Sequence, residues 1–454
     1  MTNTPITGPF RILGDSPDTA VPWYMIPFDA DGLCTAPQTR QMLINAVQND
    51  GYTDIFLFSH GWNNTWNNAV AAYEEFMTGY ARMVRDRGLA YPRPFRPLLV
   101  GVYWPSIELV RADELPPDVR DIETQGGGQP DLAIADASPA TAFAADDVPS
   151  EQRPQFSELV SRDRLTEAEA LQLAQLLLPT YQGNSGGPQE IPSTDAAISA
   201  QDLVDLWRDT LGSGTAGEAG PTATDATQDD AERGIIGDVL SFDPRDILRA
   251  VTIFKMKDRA GVVGVNGVGP LLADILAANT APRVHLLGHS FGCRVVLSAL
   301  CAQPLGREVN SALLLQPAVS CMCFADDVLD TGQPGGFRAA IDRVEGPILT
   351  TFSERDQPLH NFYHFAVRRP GDLGEIGGGR GLETPPDPHA ALGGYGPVGC
   401  AGDCDDMTMP GPSEGYSLPA GAKVVGLNGT AYIAGHGDIS NAATWWALYS
   451  QVAQ

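Results

Sequence analysis

Six short apolar runs, none longer than eight residues, recur along the chain with helix-period segments around them. This alternation limits the possible folds more than any other feature. The runs are residues 54–59 (DIFLFS), 97–104 (PLLVGVYW), 283–287 (RVHLL), 311–315 (SALLL), 347–352 (PILTTF) and 422–426 (AKVVG). They show little apolar–polar alternation, which suits strands covered on both faces of a parallel sheet. Helical patterns occupy 66–86, 244–276, 292–302, 336–343 and 441–452. The expected class is α/β, with a mostly parallel central sheet flanked by crossover helices. Residues 22–28 (PWYMIPF) read as an earlier strand, antiparallel at the sheet edge, with a turn at Asp29-Ala-Asp-Gly.

Charge divides the chain further. The 56 acids outnumber the 29 bases, for a net charge of −27 over 454 residues. Such a balance argues against a nucleic-acid backbone or an anionic membrane as partner. Residues 111–240 alone hold 25 of the acids and 7 of the bases, so this stretch carries −18 and the rest −9. It is also rich in Ala, Gly, Pro, Ser and Thr, a composition that buries too little apolar surface to offset ordering entropy. Two helices stand out inside it. Thr166 with Glu169 forms a capping-box pattern before LQLAQLLL, and Ser199 with Asp202 precedes LVDLWRDTLG, where Gly212 would stop the helix. Residues 106–240 therefore read as a partly mobile acidic insertion with about two amphipathic helices. It separates a first core segment (22–105, after a tail at 1–21) from a second (241–454). Within the second, 22 of the 52 residues at 370–421 are Gly or Pro, which excludes long helices and central strands there.

The chemistry starts at Gly288-His289-Ser290-Phe291-Gly292, where the run RVHLL ends and a helical pattern begins. A strand–turn–helix around G-x-S-x-G strains the serine backbone and exposes its hydroxyl, while the glycines let strand and helix approach. A serine hydroxyl needs a base to become a nucleophile. Of the seven histidines, His360, His364, His389 and His436 follow Ser290. His436, in Ala434-Gly-His-Gly-Asp438 between the last strand pattern and the final helix, is the best placed. His389 sits in the Gly/Pro-rich stretch, and His360 with His364 reads as helix-face packing. The acid that orients the base should lie beyond a strand between the two. Asp356 or Glu354, after PILTTF, can fill that role, with Asp326 and Asp327 as alternatives; the short carboxylate before Gln-Pro favours Asp356. Backbone donors for a developing oxyanion would be the amides of Trp62, in His60-Gly61-Trp62-Asn63-Asn64, and of Phe291.

The set Ser59-His-Gly-Trp-Asn-Asn64, Gly288-His-Ser-Phe-Gly292, Ser353-Glu-Arg-Asp356 and His436-Gly-Asp438 resembles the α/β-hydrolase superfamily. Val102-Tyr-Trp-Pro-Ser106 and Lys255-Met-Lys-Asp-Arg-Ala260 further resemble poorly characterised bacterial and fungal serine hydrolases of that superfamily. The resemblance covers roughly 22–106 and 241–454. It implies Ser290 as nucleophile, His436 as base, Asp356 as acid, and Trp62 and Phe291 as oxyanion donors. The insertion departs from the usual lid position, since it follows the strand containing Trp104.

The expected activity is hydrolysis of a carboxylic ester or related acyl bond on a small or lipid-like substrate, with no cofactor and no metal. The alternatives are an amidase or peptidase using the same residues, and a scaffold whose acidic insertion binds a basic partner. Gly264-Val-Asn-Gly-Val-Gly269 lacks the Lys-Ser/Thr of a phosphate loop and reads as helix packing. Cys400 and Cys404 can pair across Ala-Gly-Asp, and C-x-C plus C-x₃-C is a poor zinc pattern. The opening residues lack a basic n-region and an apolar h-region, no apolar run approaches the length of a membrane span, and the cysteine count is odd. A cytoplasmic chain with mostly reduced thiols is expected.

Overall fold

The computed structural model describes residues 9–14, 20–106, 139–182, 199–211, 242–329, 331–363 and 389–454. Nine strands form one sheet: β1 (Arg11–Leu13), β2 (Val21–Pro27), β3 (Asp54–Ser59), β4 (Pro97–Tyr103), β5 (Arg283–His289), β6 (Ser311–Leu315), β7 (Ile348–Phe352), β8 (Cys404–Thr408) and β9 (Val424–Asn428). Their order is β1-β2-β4-β3-β5-β6-β7-β9-β8. Every neighbouring pair is parallel except β1 with β2.

The unbroken apolar runs are explained by the pleat. Successive side chains point to opposite faces, and both faces are covered. Ile55, Leu57, Val284 and Leu286 enter one core with the helices Pro37–Asn49, Pro244–Val263, Gly269–Ala278 and Phe291–Ala302. Phe56, Phe58 and Leu287 enter the other with Trp66–Asp86 and Ala442–Val452. These last two helices start on side-chain caps. The Thr65 hydroxyl accepts the Asn68 amide at 3.0 Å, and Asn441 with Thr444 forms a capping box.

Several expectations need correction. Val21–Pro27 is not an antiparallel edge strand: it pairs parallel with β4, Trp23 opposite Leu99 and Pro27 opposite Tyr103. The reason is the helix Pro37–Asn49, which turns its connection to β3 into a crossover. The antiparallel edge is β1, in the stretch read as a tail. Residues 336–343 form only a 3₁₀ turn, Arg338–Asp342. The stretch expected to be an insertion with about two helices holds four among its described residues: Pro139–Ala144, Arg153–Val160, Glu167–Gln182 and Ala200–Leu211. Leu173, Leu177, Leu203 and Trp207 pack with Ile247, Leu248, Val251 and Phe254 of the following helix in a core of their own. Both expected caps form, with the Thr166 amide on Glu169 Oε2 and the Ser199 amide on Asp202 Oδ2, each at 2.8 Å. The low-complexity tracts of the insertion and the Gly212 stop lie outside the described residues. At the other end of the sheet, β8 is a five-residue edge strand whose first residue, Cys404, is disulfide-bonded to Cys400.

The segment Pro244–Ala278 is long and apolar enough to cross a membrane, and most of it is buried in the protein. Its glycines are packing residues. Gly264–Val268 forms a π-helical turn. A Cβ on Gly264 would stand 2.6 Å from the Val295 carbonyl oxygen and 2.5 Å from Ser298 Cβ, and one on Gly267 would stand 2.6 Å from the Gly32 carbonyl oxygen. Gly264→Ala should therefore destabilise the protein by about 1–3 kcal/mol through overpacking. A urea-unfolding midpoint equal to that of the parent chain would contradict this contact.

Candidate active site

Parallel strands all present their C-terminal ends to one edge of the sheet, and ligand sites in open α/β sheets gather there. Ser290, Asp356, His436 and the loop after Ser59 all leave that edge. Ser290 stands alone between β5 and the helix Phe291–Ala302, at φ 54° and ψ −125°. A non-glycine residue in such a conformation costs about 1–3 kcal/mol and persists only where its surroundings fix it. Here the Ser290 amide donates to the Leu315 carbonyl at 3.1 Å, and the Ser290 carbonyl accepts the Cys293 amide at 3.0 Å. Glycine is required on both sides. A Cβ on Gly288 would lie 2.7 Å from the Cys293 nitrogen, and one on Gly292 would overlap the Ser59 carbonyl oxygen.

The structure brings three of the predicted residues into one hydrogen-bonded line. The Ser290 hydroxyl is 2.8 Å from His436 Nε2, and His436 Nδ1 is 2.8 Å from Asp356 Oδ2. Asp356 is fully buried, Ser290 is nearly so, and the imidazole is 22% exposed. The histidine loop after β9 is tied to the aspartate loop after β7. The Ser353 hydroxyl donates to the Ile433 carbonyl at 2.9 Å, and the Gly429 amide to the Phe352 carbonyl at 2.8 Å. The carboxylate accepts the Leu359 amide at 3.2 Å on Oδ1 and the Gln316 side-chain amide at 3.1 Å on Oδ2. The Thr351 hydroxyl, donating to Gln316 Oε1 at 2.7 Å, fixes which end of that amide faces the acid.

The alternatives stand elsewhere. Glu354 is exposed, Asp326 pairs with Arg338 at 2.7 Å, and Asp327 accepts the Gly332 amide at 2.8 Å. His389 is buried next to Ala390, whose carbonyl accepts the Cys321 amide. His360 donates to the Ser353 carbonyl at 3.1 Å, behind the acid loop, and His364 lies outside the described residues.

The loop after β3 abuts the serine: a Cβ on Gly61 would stand 2.7 Å from Ser290 Cβ. Trp62 follows directly. Among the described residues neither the Trp62 nor the Phe291 amide donates a backbone hydrogen bond. The Trp62 N–H shares a rigid peptide unit with the Gly61 carbonyl, so whatever holds that carbonyl aims the amide. Two groups do so: His60 Nδ1–H at 2.8 Å and the Asn64 side-chain amide at 3.1 Å. The tautomer of His60 follows from its other nitrogen, which accepts the Trp104 amide at 3.2 Å.

Sequence reasoning missed His60, His289 and Gln316. His289 Nε2–H donates to the His436 carbonyl at 2.9 Å and so ties the base loop to the serine turn. His289 and His60 both lay inside recognised motifs, and Gln316 is the first residue past a strand end, where a side chain reaches the site edge. Burial holds His60 down to about 4 and His289 to about 3, so both rings are neutral at pH 7.

Ser290, His436 and Asp356 form a relay that can accept a serine proton and return it to a leaving group. Among the described residues no group of three or more His, Cys, Asp or Glu side chains could hold a metal ion. No known protein-family model, curated protein or solved structure matches the chain.

The two neutral rings predict a pH dependence of stability. Their folded values lie below the ordinary 6.5, so the unfolded chain binds more protons below that pH. Stability should fall as pH drops from 6.5, continuing to about 4 for His60 and about 3 for His289. Each ring adds a slope of ~1.4 kcal/mol per pH unit inside its window. Urea unfolding at pH 7 and 5.5, with the ring signals followed by NMR, checks this; a native His289 ring titrating near its ordinary value would contradict it.

Proposed function

We propose that this chain is a serine hydrolase of the α/β-hydrolase superfamily, cleaving a carboxylic ester or related acyl bond through an acyl-enzyme. The observation that carries the reading is the unbroken line Ser290–His436–Asp356, with Ser290 at positive φ on a strand-to-helix turn. The mostly parallel sheet and the chain order serine, acid, histidine support it.

In the first half-reaction Ser290 Oγ attacks the acyl carbon while its proton passes to His436 Nε2. Asp356, negatively charged and holding Nδ1–H, stabilises the imidazolium and fixes the ring. The carbonyl oxygen takes up the negative charge between the Trp62 and Phe291 amides. The intermediate collapses as Nε2 returns the proton to the departing alcohol oxygen. Water then repeats the sequence on the acyl-serine: its proton goes to Nε2, the acid leaves, and Ser290 recovers its proton.

A fluorophosphonate probe should label the parent protein and fail to label Ser290→Ala. Ester turnover in Ser290→Ala and His436→Ala should drop by about 10³-fold or more. Asp356→Asn should fold and lose most of its turnover, because the amide cannot support the imidazolium, while His389→Ala should retain it. Folded parent protein that takes up no probe, or a Ser290→Ala variant turning over at the parental rate, would overturn the proposal.

A further inference from the structure

The acidic insertion leaves the sheet at Ser106, and Ser106 is a contact of the oxyanion loop. Asn63 sits at φ 58°, a left-handed conformation that an asparagine tolerates and its neighbours must hold. The Ser106 carbonyl accepts the Asn63 amide at 2.7 Å, and its hydroxyl accepts the Asn64 amide at 3.1 Å. Asn64 in turn grips the Gly61 and Trp62 carbonyls at 3.1 and 2.9 Å. Ser106 is fully buried, so no water substitutes for these bonds.

Ser106 is linked to the insertion through the helix Pro244–Val263. The carbonyl of Pro105, one residue earlier, accepts an Arg259 N–H at 3.0 Å. The Arg259 guanidinium lies 4.6 Å from the ring centre of Phe143, which belongs to the first described helix of the insertion and is 4% exposed. Lys255, one helical turn before Arg259, sits 4.2 Å over the same ring, donates to the Phe143 carbonyl at 2.6 Å and pairs with Asp147 at 3.0 Å. One buried aromatic ring thus lies within cation–π range of two cations of the same helix. An unbroken series of contacts runs from the insertion through Phe143, Arg259, Pro105 and Ser106 to the two amides that follow Trp62.

We propose that the insertion braces the oxyanion loop, with Ser106 as the positioning residue for the Trp62 amide and the Phe143–Arg259 contact carrying the insertion's docking to it. The catalytic consequence rests on the hydrolase reading above; the brace itself does not. The bracing contacts act on the donor that serves the transition state, so weakening them lowers kcat and leaves KM nearly unchanged.

The test is amide hydrogen exchange of the full-length protein, resolved by NMR at Asn63 and Asn64, alongside turnover of a short-chain chromogenic ester. Ser106→Ala should speed exchange at Asn64 by about tenfold and spare Asn63, whose acceptor is a backbone carbonyl. Phe143→Leu and Arg259→Met should speed both sites and lower kcat about tenfold with KM within about twofold. Phe143→Tyr, which keeps the ring, should restore both readings, and Arg245→Met, at an exposed pair elsewhere on the same helix, should change neither. Parental exchange at Asn64 in Ser106→Ala, or at both sites in Phe143→Leu and Arg259→Met, overturns the brace whatever the activity does. Faster exchange in the variants, with a folded parent protein that takes up no fluorophosphonate, leaves the brace standing and sinks the hydrolase reading instead.

Discussion

The arrangement of this molecule depends on a steric constraint at one residue. Ser290 is held at φ 54° in a turn that runs from strand to helix with no intervening loop. The turn closes only because Gly288 and Gly292 leave no Cβ in the way of Cys293 and of the β3 terminus. Gly292 seats the helix Phe291–Ala302 against the carbonyl of Ser59, and so sets the separation of β5 from the β3 loop. Gly61 completes the contact from the opposite side. The candidate nucleophile and the candidate oxyanion donors are therefore positioned by one packing event. The acid and the base come from strands on the other side of β5, and their two loops are fastened to each other before they reach the serine.

The two edges of the sheet solve the burial of polar groups differently. At the N-terminal edge, Asp54 is fully buried and takes hydrogen bonds from Arg93 at 2.8 Å, His285 at 3.0 Å and Thr53 at 2.7 Å. A buried carboxylate with that many donors is a structural charge, and breaking one partner there costs stability. At the C-terminal edge, His60 and His289 are kept neutral and serve as oriented donors and acceptors. Neutral rings add no charge of their own beside the candidate relay.

Much of this was legible in the sequence because the signals are local. A strand covered on both faces must be apolar throughout, and each such run became a strand within two residues of its expected bounds. Ser290, Asp356 and His436 could be named because each follows a strand end in chain order. What escaped is tertiary in origin. Residues 22–28 carried the apolar character of an inner parallel strand, yet their direction depended on the helix Pro37–Asn49, whose pattern PQTRQMLINAVQN is weakly amphipathic. The insertion looked too polar for more than two helices because part of its core is supplied from outside, by Ile247, Leu248, Val251 and Phe254. Gln316 lies in no motif, and the motifs holding His289 and Ser106 do not show their roles: all three matter through partners tens to more than a hundred residues away.

That borrowed core ties residues 139–211 to the rest of the chain. The helix Pro244–Val263 presents Ile247, Leu248, Val251 and Phe254 to the insertion, and Ile253, Met256, Ala260 and Val263 to the main core. It is a party wall rather than an outer wall. Without the segment, those four apolar side chains would face water. The same dependence makes the segment hard to remove, since its excision would leave a greasy stripe along one of the longest described helices.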